Sequence, residues 1–189
     1  MSTIDELMEQ ARTAGADSLP EPLRGSILGA VESEPSAAAP THQLAQLNVA
    51  RFRLPMDHPD MIGFVEMLDP MNNVADACPG LVWRLTDEGS NNATSITYYD
   101  DPLLLVNMSV WSDVAALRDY VYRSEHAGMV KRAPEWADAM ESRHLVLWWV
   151  PAGHRPDIAE ADARLELLRA NGPTEAAFTF GQSFPPPAS

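Results

Sequence analysis

The feature that most constrains the fold is the run Leu103-Leu104-Leu105-Val106-Asn107-Met108-Ser109-Val110-Trp111. It starts almost continuously apolar, as a strand does when both faces of its sheet are covered, so it is expected at the centre of a sheet. Three other segments read as strands. Residues 43–52 alternate between apolar and polar side chains. Leu81-Val82-Trp83-Arg84-Leu85 follows the turn Pro79-Gly80, and His144-Leu145-Val146-Leu147-Trp148-Trp149-Val150 is stopped by Pro151. Asp87 to Thr94 is polar and rich in Asn, a loop.

Helical spacing fills the gaps between these strands. Asp57 or His58 caps a helix with Pro59 in its first turn, where a missing N–H costs nothing. Met61, Phe64, Val65, Leu68, Met71 and Ala75 form its expected buried stripe, and Pro70 is expected to kink or end it near Asp69. Ser112 or Asp113 caps a second helix with Val114, Leu117, Tyr120, Val121 and Ser124 inward. A further helical or irregular piece carries His126, Met129, Val130 and Trp136. Asp157 and Glu160 make a D-x-x-E cap. It opens a last helix with Ile158, Ala161, Leu165 and Leu168 inward, ended by Gly172-Pro173. Ala176 to Phe184 reads as one more extended segment. The order strand, helix, strand, strand, helix, strand is the split β-α-β-β-α-β pattern of the ferredoxin-like fold. The fold class is therefore α+β, over residues 42–184, with an extra C-terminal helix.

The ends differ from this domain. Ile4, Leu7, Met8 and Ala11 have helical spacing, and so do Leu23, Ile27, Leu28 and Val31. Glu34 to Pro40 then reads as a flexible linker. Residues 1–41 are thus expected to be a helical arm whose small apolar faces need a partner. Residues 185–189, ending in Pro185-Pro186-Pro187, read as a disordered tail.

Charge and cysteine usage exclude several function classes. Thirteen Lys and Arg face 27 Asp and Glu, a net charge of −14, which disfavours binding to a phosphate backbone. No apolar run approaches the roughly 20 residues that cross a bilayer, and the N-terminus has no basic cluster of a secretory signal. A cytoplasmic location with no membrane partner is expected. Cys78 is the only cysteine, so neither an intrachain disulfide nor a thiolate zinc cluster can form. Lys131 is the only lysine, which leaves little room for Schiff-base chemistry. His126, His144 and His154 lack the H-x-x-x-H or H-E-x-x-H spacing of a metal site, so none is expected.

Several motifs, in order, resemble one bacterial family. They are Leu47-Asn48-Val49-Ala50, Gly80 to Leu85, Val106 to Trp111, and Leu147-Trp148-Trp149-Val150-Pro151-Ala152-Gly153-His154-Arg155-Pro156. The family is domain of unknown function 3291, and the likeness covers about residues 42–184. It in turn is similar to the antibiotic-biosynthesis-monooxygenase superfamily. That resemblance implies a homodimer closed into a dimeric α/β barrel, with a pocket between each sheet and its helices. It also implies an aromatic or polyketide-like small molecule of secondary metabolism as substrate. The enzyme would be an oxygenase, cyclase or isomerase working without a bound cofactor. One alternative is a haem- or metal-dependent monooxygenase, as in the haem-degrading members. They set Asn, Trp and His in a fixed arrangement; here Asn48 fits, but the other two positions fall near Tyr120 and Val130, so a haem ligand would have to be His126. The other alternative is a non-catalytic accessory protein that engages a protein partner through residues 1–40.

The residues themselves suggest where chemistry would sit. Asn48, Asn107 and Ser109 are polar side chains inside apolar strands, and Asn107, Ser109 and Trp111 share a face by parity. Buried polar groups must be hydrogen-bonded or serve a ligand. A pocket lined by Asn and Trp could hold a phenolate or enolate. His126 is the expected acid/base because it titrates near neutrality, with Tyr120 and Tyr122 close by on the same helical stretch. Arg84 could bind a carboxylate or an enolate oxygen, and His154 follows a strand end, a common site position. Trp83 and Trp149 are expected to line an aromatic cavity.

Overall fold

A computed structural model describes residues 40–188. The expected helical arm and linker, apart from Pro40 and Thr41, lie outside the described residues.

The chain runs through strand β1 (His42–Arg51), a 3-10 turn at Pro59–Met61, helix α1 (Ile62–Asp76), β2 (Leu81–Arg84), β3 (Leu104–Trp111), α2 (Val114–Arg123), α3 (His126–Arg132), a 3-10 turn at Ala133–Glu135, β4 (Leu145–Pro151) and α4 (Ile158–Asn171). The four strands form one antiparallel sheet in the order β2-β3-β1-β4. This is the arrangement of the split β-α-β-β-α-β pattern. The ferredoxin-like α+β class with an added C-terminal helix is therefore the observed one. Among the described residues no helix is long and apolar enough to cross a membrane.

Strand alternation divides the sheet into two unlike faces. One face carries Ala45, Leu47 and Val49 from β1, Val106, Met108 and Val110 from β3, and Val146, Trp148 and Val150 from β4. All are at most 2% exposed. They are covered by Ala161, Leu165 and Leu168, which repeat at helical spacing on α4 and are fully buried. Asp157 starts that helix by accepting from the Glu160 N–H at 2.7 Å, as the capping pattern requires. Helix α4 lies on this side against β1 and β4, with Ile96 and Tyr99 packed beside it.

The other face carries Leu44, Gln46, Asn48, Leu105, Asn107, Ser109, Trp111 and Leu147, beneath α1, α2 and α3. Asp113 caps α2 through the Ala116 N–H at 2.8 Å. Gly80 sits where β2 begins against α2, and a Cβ there would overlap the Ala116 methyl group.

Three local expectations are narrowed or corrected. Of the two outcomes expected at Pro70, a kink or an end near Asp69, the end does not occur, since α1 continues to Asp76. The proline leaves only the Glu66 carbonyl without its helical donor, and Glu66 lies on the exposed side where water can reach it. Val65 is 40% exposed and not part of the buried stripe. Finally, residues 176–184 do not form a full strand. They touch the edge of β4 at one bridge, where Leu147 and Phe178 exchange N–H···O bonds of 2.9 and 2.8 Å.

Candidate functional site

Between the polar sheet face and the helices lies a cavity of about 550 Å³. Its floor is set by strand register. Asn48 stands opposite Asn107, and Gln46 opposite Ser109. Its roof is apolar, with Phe64, Leu68 and Met71 from α1, Leu117 and Val121 from α2, and Met129 from α3. Asn107 is exposed although it lies in the middle of a central strand, because it opens into this space.

The floor is held by a small network. Gln46 Nε2 donates to Asn107 Oδ1 at 2.9 Å and to Ser109 Oγ at 3.0 Å. Ser109 Oγ also accepts the Trp111 indole N–H at 2.7 Å. Gln46 and Ser109 are each 6% exposed, so water does not compete strongly for these bonds. The Asn48 side chain makes no hydrogen bond within the described residues and faces the cavity.

His126 overlooks this floor from the junction of α2 and α3. Ser124 makes that junction. Its backbone is extended, its hydroxyl donates to the Tyr120 carbonyl at 2.6 Å, and the same oxygen accepts the His126 N–H at 3.1 Å. The turn lays the imidazole on Tyr120, with ring centroids 4.5 Å apart, and Tyr120 in turn stacks on Trp111 at 5.0 Å. Among the described residues, His126 Nδ1 is buried and has no hydrogen-bond partner. Burial holds the imidazole pKa below its usual value, and the Val121 carbonyl opposes this only in part. A neutral imidazole with an unfilled nitrogen is a proton acceptor in waiting. Tyr120 is pushed the other way: burial, chiefly, raises its pKa, so its phenol stays protonated.

The cavity thus gathers seven of the residues singled out in the sequence: Asn48, Arg84, Asn107, Ser109, Trp111, Tyr122 and His126. They are not equivalent. Arg84 makes a two-pronged pair with Asp76 at 2.7 and 2.8 Å and also donates to the Asn91 carbonyl and side chain. Most of its donors are therefore committed, and the expected capture of a substrate carboxylate gives way to bracing β2 against the end of α1. The bond from Arg84 holds the Asp76 carboxyl below its usual pKa. Tyr122 is 57% exposed and packs edge-on against Phe180 at the rim.

Three expected site residues lie elsewhere. His154 is at the far end of β4, where Nε2 meets Glu160 Oε2 at 2.7 Å in partial exposure. Trp83 packs against the apolar face beneath α4, because a bulge between Leu81 and Trp83 sets it opposite Val110. Trp149 donates to the Phe184 carbonyl at 2.8 Å and packs with Phe178, away from the cavity lining. Gln46, by contrast, was not among the expected residues. Its parity with Asn48 on β1 was the available signal. Cys78 donates to the Val74 carbonyl at 3.3 Å, and burial raises its thiol pKa, which makes it a poor nucleophile.

The donor set also bears on bound groups. Among the described residues no group of three or more His, Cys, Asp or Glu could hold a metal ion. A haem fits poorly. Its two propionates call for cations, and the one Arg or Lys on the cavity wall, Arg84, is already paired with Asp76.

The family described as Domain of unknown function (DUF3291) matches residues 43–189. No curated protein matches the chain. A solved structure of a mutant of SnoaB, a cofactor-independent oxygenase from Streptomyces nogalater, is similar at 11% identity and a TM-score of 0.40. That likeness covers 61% of this chain and 97% of the other, and it is too slight to carry an activity across.

Proposed function

The chain belongs to the DUF3291 family, and from its own geometry we propose that it is a cofactor-independent enzyme acting on an aromatic or polyketide-like small molecule. The observation that carries this is the buried, unpartnered Nδ1 of His126 beside an apolar-roofed cavity with amides on its floor. A flat substrate slides between the helices and the sheet, its rings against Phe64, Leu68 and Leu117. His126 Nδ1 takes an acidic O–H or C–H proton and becomes an imidazolium. The electron pair left behind delocalises onto a substrate oxygen, and the side chains of Asn48 and Asn107 stabilise that charge. This proton abstraction is the step shared by an oxygenase, whose anion then gives an electron to dioxygen, a cyclase, whose anion attacks a carbonyl, and an isomerase, which returns the proton elsewhere. The same reading has the chain working as a homodimer. Sedimentation of the full chain measures this.

Ionisation of a bound phenol tests the central claim. Alpha-naphthol added to the full chain should ionise at a lower pH than in water, read from the absorbance of the naphtholate. His126→Gln should remove that shift while leaving naphthol bound. Ordinary ionisation of naphthol bound to the unmodified chain would sink proton abstraction by His126.

A further inference from the structure

The bonds around Gln46 have a direction. Three oxygens surround its Nε2: Asn107 Oδ1 at 2.9 Å, Ser109 Oγ at 3.0 Å and the Asn107 main-chain carbonyl at 3.4 Å. The last of these can only accept, which favours nitrogen over oxygen on the side of the amide that faces this group. Everything downstream then follows. Asn107 Oδ1 accepts from Gln46 and is thereby turned toward β1, which leaves the Asn107 NH₂ as the end turned to the cavity. Ser109 Oγ already accepts from Gln46 and from Trp111 Nε1, so both lone-pair positions are taken and its O–H is left to donate.

We infer that Gln46 is a positioning residue that turns the cavity floor into a hydrogen-bond donor surface, selecting ligands that place a carbonyl or anionic oxygen over Asn107 and Ser109. This rests on the aromatic-ligand reading above and adds to it the polarity of the ligand. A buried amide whose job was only to be satisfied could sit in either orientation. Here the main-chain carbonyl favours one orientation, and that orientation leaves two donors side by side on the cavity floor. An unfilled donor there costs free energy, which an acceptor on the ligand recovers.

Two probes with one skeleton separate shape from polarity. Alpha-tetralone carries a carbonyl that only accepts, and tetralin has the same rings with no oxygen. Calorimetric titration of the full chain gives an affinity ratio for the pair. Gln46→Glu replaces the amide donor with an acceptor of the same size and turns the Asn107 NH₂ and the Ser109 O–H toward itself. The tetralone-to-tetralin ratio should fall by about fivefold or more, the value of one hydrogen bond, with tetralin affinity unchanged. Asn107→Asp, at a position already exposed to the cavity, should give the same fall without threatening the fold. An unchanged ratio in either variant overturns the inference. So does an equal loss of both probes, which would make Gln46 merely structural. If the unmodified chain binds tetralin but shows no fall on substitution, the aromatic cavity stands and the donor floor does not. If it binds neither probe, both readings fall.

Discussion

The two faces of the sheet use the same strands for opposite ends. Beneath α4, nine alternating residues from Ala45 to Val150 are apolar and closed to water. One residue along each strand, the pattern is broken by Gln46, Asn48, Asn107 and Ser109, and the space above them is open. Filling that space with leucines would bury more apolar area and stabilise the domain. The chain instead keeps amides and a cavity where packing would be favourable, and concentrates its close packing on the side beneath α4. Close packing and open space are thereby separated by a single peptide unit.

That contrast can be broken most forcefully from the apolar side. Trp148→Ala removes a fully buried ring and its bond to Glu160 at 3.1 Å. It should cost about 3–5 kcal/mol in urea unfolding, while the fraction that stays folded keeps its affinity for tetralin. Gly80→Ala sets a methyl against Ala116 where β2 meets α2. A cost of about 1–3 kcal/mol in the same measurement is expected.

Acid probes the cavity side. The His126 pKa is held below 6.5 in the folded chain, so the unfolded chain takes up the proton first as pH falls. The unprotonated site is fully tolerated above that value. Stability then declines as pH drops through the window between the unfolded pKa and the lower folded one. In His126→Gln this part of the slope should vanish from pH-dependent melting curves. The pair of Asp76 with Arg84 acts in a separate window. Its carboxyl is held below 3.8, and its contribution is lost only as pH falls through that lower range. The smallest effect belongs to the floor itself. Asn107→Leu removes one acceptor of Gln46 but adds apolar area over the floor, two opposed effects that should leave a net change in unfolding free energy of about 1 kcal/mol or less. A large loss there would mean that the two faces are not divided as described.

Much of the fold could be read in advance, because alternation and capping act locally. The run ending at Trp111, the Asp113 and Asp157 caps and the Gly172 stop all depend on residues a few positions apart. Asn48, Asn107 and Ser109 were also legible, since a polar side chain inside an apolar strand contradicts its surroundings. What stayed hidden depends on pairing across the chain. Gln46 acquires meaning only from the register that sets it opposite Ser109. Trp83 changes face because of a bulge that leaves no mark in the residues around it. His154 looked like a site residue because it follows a strand, yet β4 carries it to the side occupied by α4 and Glu160. Arg84 found Asp76 eight residues back, a partner visible only once α1 ran on past Pro70.

The contact between Leu147 and Phe178 has a meaning beyond the packing of its two side chains. Strand β4 is an outer member of the sheet, and such a strand offers unpaired amides and carbonyls to any other chain that can lie alongside. The returning segment answers the middle of that row with its own backbone and seals it with a phenyl ring that water does not reach. The stretch after α4 therefore acts as a guard against strand addition. A chain shortened before Thr174 would present Leu145-Val146-Leu147-Trp148-Trp149 as a bare β template, and its characteristic failure would be aggregation into extended sheets rather than loss of the ligand cavity.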